Sequence, residues 1–96
     1  MRKFGDYLRE KIKKDPDFAA RYDLLKEKAA VVKEIIGYRI RHKLSQAELA
    51  KEIGVTQQYI SKIEERGFSN LDTIENVLHH IGYRLKLEVV RYKEPT

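Results

Sequence analysis

Residues 44–66 read LSQAELAKEIGVTQQYISKIEER, and this stretch decides the fold. Ser45-Gln46-Ala47-Glu48 has the form of a capping box. In such a box the serine hydroxyl accepts the N–H three residues on, and the glutamate carboxylate reaches back to the serine N–H. The helix so started runs to Ile53, where Gly54 supplies the positive φ of a tight turn. Thr56 then caps a second helix from Gln57 to Arg66, which Gly67 ends. Ala47, Leu49, Ala50, Ile53, Val55, Ile60 and Ile63 supply the apolar positions, with Ala50 small where the two helices must approach. Two short helices joined through a glycine turn form a helix-turn-helix.

The second helix turns Gln57, Gln58, Ser61 and Lys62 outward while Ile60 and Ile63 face in. A glutamine amide presents a donor and an acceptor side by side, matching N6 and N7 of adenine in the major groove. Two of them at a helix N-terminus stand where such helices enter the groove. Lys62, one turn beyond Gln58, reaches a guanine or a phosphate. Ser45, Gln46 and Thr56 sit at helix starts, where free N–H groups and the helix dipole favour a phosphate oxygen. Tyr59 completes the candidate DNA-contacting set. Paired glutamines on their own are an ordinary solvated helix face; the surrounding motif is what turns them toward base contact.

Working outward, Val31 to Lys43 predicts a helix with Val32, Ile36 and Ile40 inward, giving way at Leu44-Ser45. Ahead of it, Phe4, Tyr7, Leu8 and Ile12 form one apolar stripe over Lys3 to Lys13. Lys14-Asp15-Pro16-Asp17 resets the chain, with Asp15 as cap and Pro16 in the first helical position. Phe18, Tyr22 and Leu25 stripe the helix that follows, which runs to Ala29 or Ala30. Beyond the motif, Ser69 or Asn70 caps a helix containing Leu71, Ile74, Val77, Leu78 and Ile81, and Gly82 stops it. The period then changes. Tyr83, Leu85, Leu87 and Val89 alternate with Arg84, Lys86 and Glu88, the pattern of a half-buried strand. No second strand is legible, and a lone strand leaves its edges unpaired, so it calls for a strand from another molecule.

Composition narrows the classes. The 96 residues are 42% hydrophobic and 36% charged, enough for a small core and no more. No apolar run approaches the ~20 residues of a membrane span, and the start lacks a secretory h-region. With zero cysteines there are no disulfides or thiolate sites, and the chain reads as cytoplasmic. The net charge of +5 admits a polyanionic partner. It is not clustered on the motif: residues 1–28 hold nine Lys/Arg against six Asp/Glu, residues 29–67 seven against five, and residues 68–96 four of each. His79 and His80 are adjacent and point about 100° apart on a helix, and His42 stands alone, so no metal site is expected. No catalytic constellation or phosphate loop is present, so neither an enzyme nor a cofactor is expected.

The segment from Val31 to Ile81, with SQAELA, an intervening glycine and TQQ opening the second helix, resembles the Cro/C1-type (Xre family) helix-turn-helix of phage repressors. The resemblance implies a lambda-repressor-like domain of five helices around one core. It also implies that Gln46 anchors to a phosphate, Gln57 and Gln58 read bases, Lys62 lies further along that face, and Arg39 pairs with Glu64 inside the domain. The loop Gly67-Phe68-Ser69-Asn70 departs from the pattern, being short and without basic residues. The flanks YLREKIKKDPDFAARYDLL (7–25) and LHHIGYRLKLEVV (78–90) resemble HigA-type antitoxins of bacterial toxin–antitoxin operons. That resemblance implies an antitoxin that blocks an mRNA-cleaving toxin and represses its own operon.

The expected architecture is therefore all-α. A helical arm covers residues 1–30, a helix-turn-helix domain covers 31–82, and a single strand with its tail covers 83–96. Expected partners are double-stranded operator DNA, a cognate toxin and a second copy of the chain, with no membrane and no small-molecule ligand. Phe4, Tyr7, Leu8, Phe18 and Tyr22 are the candidate toxin grip, against the competing reading that they pack on the domain. Tyr83, Leu85, Leu87 and Val89 are the candidate dimer contacts, against the reading that the strand extends the toxin's sheet. The alternatives of different class are a stand-alone regulator of phage or mobile-element origin and an interaction module that no longer binds DNA.

Overall fold

The computed structural model describes residues 4–91, so Lys3 at the expected start of the first helix and the tail beyond Arg91 lie outside it. The described residues form five helices and no strand: α1 (Phe4–Lys14), α2 (Pro16–Arg41), α3 (Gln46–Ile53), α4 (Gln57–Arg66) and α5 (Leu71–His80). The chain falls into two compact units, one spanning Lys28–Leu87 and the other formed by the residues up to Glu27 together with those from Glu88 on.

In the second of these units, Asp15 separates α1 from α2. Its Oδ1 accepts the N–H groups of Asp17 and Phe18, each at 3.1 Å, which satisfies two orphan donors at the start of α2. No residue of α1 is buried. Phe18 and Tyr22 stack with ring centroids 6.3 Å apart, and Lys11 and Lys26 lie over the two rings at 5.6 and 5.8 Å.

The break expected at Ala30 does not occur, and one helix runs from Pro16 to Arg41. The stretch Lys26-Glu27-Lys28-Ala29-Ala30-Val31-Val32-Lys33 holds no proline, glycine or capping residue, so nothing ends it. The resemblance's five-helix domain plus a separate arm is thereby reduced to five helices among the described residues, with α2 running through both units. The face that α2 buries is also rotated from expectation. Ile35 is fully buried, Val31, Val32 and Tyr38 pack beside it, and Ile40 is 62% exposed. Val31, Ile35 and Arg39 form a single i, i+4 row, and Arg39 faces inward with it.

The core of the Lys28–Leu87 unit consists of Ile35, Leu49, Ala50, Ile53, Ile60, Ile63, Ile74, Val77, Leu78 and Ile81. Each large member withdraws a side chain worth about 1.5–3 kcal/mol on burial. Ala50, 2% exposed, is the small residue between α3 and α4. Ala47, expected in this set, is exposed. At Gly54, φ is +88°, and the Gly54 and Val55 N–H groups both donate to the Ala50 carbonyl at 2.8 and 2.9 Å. A side chain there would be strained, which is why the turn uses glycine. Asn70 is the cap of α5, its Oδ1 accepting the Thr73 N–H at 3.0 Å.

Tyr83 to Arg91 carry no strand, which corrects the expectation of one. A strand exists only through hydrogen bonds to a neighbouring backbone, and the described residues of a single copy offer none. The four alternating residues meet different surroundings: Leu85 packs partly against the core, while Tyr83, Leu87 and Val89 are 40%, 68% and 102% exposed.

Candidate nucleic-acid interface

The helix-turn-helix begins with the capping box in full. Ser45 Oγ accepts the Glu48 N–H at 3.0 Å, and Glu48 Oε1 accepts the Ser45 N–H at 2.9 Å. The Ser45 N–H first, and its hydroxyl second, favour the anion and hold the Glu48 carboxyl below its ordinary range. Thr56 Oγ1 accepts the Tyr59 N–H at 3.1 Å and so starts α4. Both hydroxyl oxygens thus accept a helix N–H three residues on.

One network locks the motif to the helix before it. Arg39 Nε donates to Glu64 Oε2 at 2.8 Å, and Arg39 Nη2 donates to Glu64 Oε1 at 2.9 Å, a two-pronged pair. Arg39 Nη1 donates to the Leu44 carbonyl at 3.1 Å, and Gln46 Nε2 donates to Glu64 Oε1 at 3.1 Å. The side chains of Arg39 and Glu64 are 20% and 8% exposed. The hydrogen bonds to Glu64 raise the Arg39 pKa further, so the guanidinium stays charged. Gln46, expected at a phosphate, thus has one amide N–H committed to Glu64, with a second N–H and the carbonyl oxygen remaining. Tyr38 adds a further tie between α2 and α3 through its hydroxyl, 3.2 Å from Glu52 Oε1.

With its inner side held, α4 presents its other side to solvent. Gln57, Gln58 and Lys62 are exposed and Ser61 is half-buried, and together they line one groove. Glu65 and Arg66 line the same groove. Neither belongs to the set expected from the sequence, although their spacing of four residues from Ser61 and Lys62 is the signal that places them there. Tyr59 stands apart from the set. Its ring packs against the core, and its hydroxyl is buried without a partner of proper hydrogen-bond geometry. Burial raises the Tyr59 pKa, an effect that Thr73 partly opposes.

The loop after α4 has cationic neighbours that its own four residues lack. A second groove is lined by Tyr59, Lys62, Ile63 and Arg66 together with Gly67 to Asn70. Lys28 Nζ lies 5.8 Å from the centroid of the Phe68 ring. The remaining candidates lie elsewhere. Phe4 and Tyr7 are 74% and 50% exposed, and Leu8, Phe18 and Tyr22 are half-buried. The rings of His79 and His80 are 6.3 Å apart and edge to face. Among the described residues no group of three or more His, Cys, Asp and Glu is placed to hold a metal ion. No helix among them is long and apolar enough to cross a membrane.

Comparison with known proteins yields no match to a curated protein and none to a solved structure. Comparison with families matches residues 35–85, over half the chain, to the family described as helix-turn-helix. That span runs from the buried Ile35 through α3, α4 and α5 to Leu85, the last residue packed on the core. The chain belongs to the Cro/C1-type helix-turn-helix family, whose fold implies binding to DNA.

Proposed function

We propose that this protein is a sequence-specific DNA-binding repressor that reads its operator with the outer side of α4. The observation that carries the reading is the exposure of Gln57, Gln58 and Lys62 along one groove of the second helix of a helix-turn-helix. Gln57 and Gln58 read base edges, Lys62 takes a guanine or a phosphate, and Ser45, Gln46 and Thr56 contribute at helix starts. Two copies, joined through Tyr83, Leu85, Leu87 and Val89, set two such helices about 34 Å apart on a palindromic site. The test is operator binding by the parent and by the Gln57→Ala/Gln58→Ala double variant, using the promoter upstream of its own gene. Removing either base-reading amide lowers affinity by about 1–3 kcal/mol and relaxes the preference at one position. Unchanged affinity and specificity in the folded variant would remove base reading from α4.

In its fuller form the proposal is an antitoxin, which represses its own operon and neutralises an mRNA-cleaving toxin. Supporting it are the resemblance of both flanks to HigA-type antitoxins and the exposure of Phe4 and Tyr7 on an arm none of whose first-helix residues is buried. Co-expression with the adjacent reading frame, followed by purification through this chain, tests it. A stable complex that disappears on deleting residues 1–28 supports the arm as the grip. A complex that survives the deletion moves the grip elsewhere. Absence of any complex leaves the stand-alone repressor.

A further inference from the structure

Two consecutive acids stand near the end of α4, and they meet opposite fates. Glu64 turns inward and receives Arg39 and Gln46. Glu65 is exposed and lines the outer groove with Gln57, Gln58, Ser61, Lys62 and Arg66. Among the described residues no other acid lines that groove. The Glu65 carboxylate holds neither a hydrogen bond nor an ion pair among them, although Lys62 stands one turn before it. Seven residues, close to two full turns, separate Glu65 from Gln58, so the two fall on one face of the helix.

A carboxylate in a DNA-reading groove is demanding company. It only accepts hydrogen bonds, and the phosphates along the rims of the major groove repel it. On the groove floor guanine offers the acceptors N7 and O6, and thymine offers O4 and a methyl group. Neither gives a carboxylate anything to bind. Adenine sets its N6 amine beside the acceptor N7, a combination that fits a glutamine amide instead. Cytosine offers the N4 amine with no acceptor on its own edge. At any other base the carboxylate loses water and gains no partner, so it selects partly by exclusion. The guanine paired with that cytosine presents O6 and N7 to a cation. Lys62, three residues before Glu65 in the same groove, supplies one. Acid and cation together therefore match a single C·G pair.

We propose that Glu65 accepts from cytosine N4 while Lys62 donates to the guanine of the same pair. The C·G pair lies at a position separate from those read by Gln57 and Gln58. This rests on α4 being the base-reading helix, and it adds an acid that rejects the wrong base.

The test selects binding sites from random duplexes for the parent, Glu65→Gln, Glu65→Ala and Gln57→Ala/Gln58→Ala, then varies each site one base pair at a time. The parent prefers C·G at one position of each half-site by about five-fold or more. Both Glu65 variants lose that preference and keep the others, whereas Gln57→Ala/Gln58→Ala keeps it and loses its own. Thermal unfolding of the Glu65 variants matches the parent, because the side chain is exposed. A rise in affinity for every sequence, with base preferences unchanged, overturns the proposal, since Glu65 then acts only by repelling phosphates. A parent that prefers bases at the glutamine positions and never C·G overturns it as well. A parent with no base preference anywhere removes base reading from α4 as a whole, which separates failure of the underlying reading from failure of Glu65.

Discussion

Arg39 shows how much of this fold a single side chain holds. It reaches Glu64 on α4 with two N–H groups and the Leu44 carbonyl before α3 with a third, and Glu64 in turn receives Gln46. Removing one member of such a pair leaves a charge in a site built to exclude water. Arg39→Ala is expected to cost about 3 kcal/mol in denaturant unfolding, the lower end of the range for a broken buried pair, because a fifth of the Arg39 side chain stays exposed. Arg39→Met with Glu64→Leu removes both charges and recovers most of that loss. A double variant no more stable than the single one counts against the pairing as the cause. The pair was legible in the sequence only through resemblance, since nothing local links residues so far apart. The same side chain explains why Ile35 and not Ile40 is buried. Val32, Ile36 and Ile40 make an equally regular row, and apolar spacing alone does not rank it below Val31, Ile35 and Arg39. The decision comes from Glu64, which draws Arg39 to the inside and turns α2 with it.

At the scale of the element, helix ends were the most legible feature. Caps are local: Ser45 and Glu48, Thr56 and Tyr59, and Asp15 and Phe18 meet because three residues separate them. The capping box also makes a prediction about acid. The Glu48 pKa is depressed in the folded state, so its contribution to stability is complete above the unfolded value of about 4.5. It is lost as pH falls through the lower, folded value. Glu48→Gln is therefore less stable than the parent near neutrality, and the difference shrinks on acidification toward pH 3. A difference that stays constant with pH assigns the role of Glu48 to something other than its charge. The missing break in α2 was harder to foresee, because an apolar stripe that changes face resembles two helices. Only the absence of a stop residue between Lys26 and Lys33 argued for one, and helix continuity is the default where nothing interrupts the hydrogen-bond ladder.

On the scale of the whole molecule, the ten buried residues among those described make a small core, and domains of this size are marginal on their own. The proposed pairing of two copies through Tyr83, Leu85, Leu87 and Val89 links that stability to concentration. The midpoint of thermal unfolding is expected to rise as protein concentration is raised 100-fold, and truncation after Gly82 is expected to abolish the rise. A midpoint independent of concentration removes the dimer from the stability of the fold. Net charge, the whole-molecule property most legible at the outset, says least about the interface. The helix-turn-helix itself holds a small excess, and the cations around the loop after α4 are gathered from Lys62, Arg66 and the distant Lys28. The sequence by itself determined the two helices and their glycine turn, the caps and the outward glutamines of α4, because each depends on residues within one or two turns. Tertiary structure alone decided which row of α2 is buried, how Gln46 is engaged, that Tyr59 turns inward and that the last segment has no strand in a single copy. Those outcomes depend on contacts between residues remote in the chain, or on a backbone that one copy does not contain.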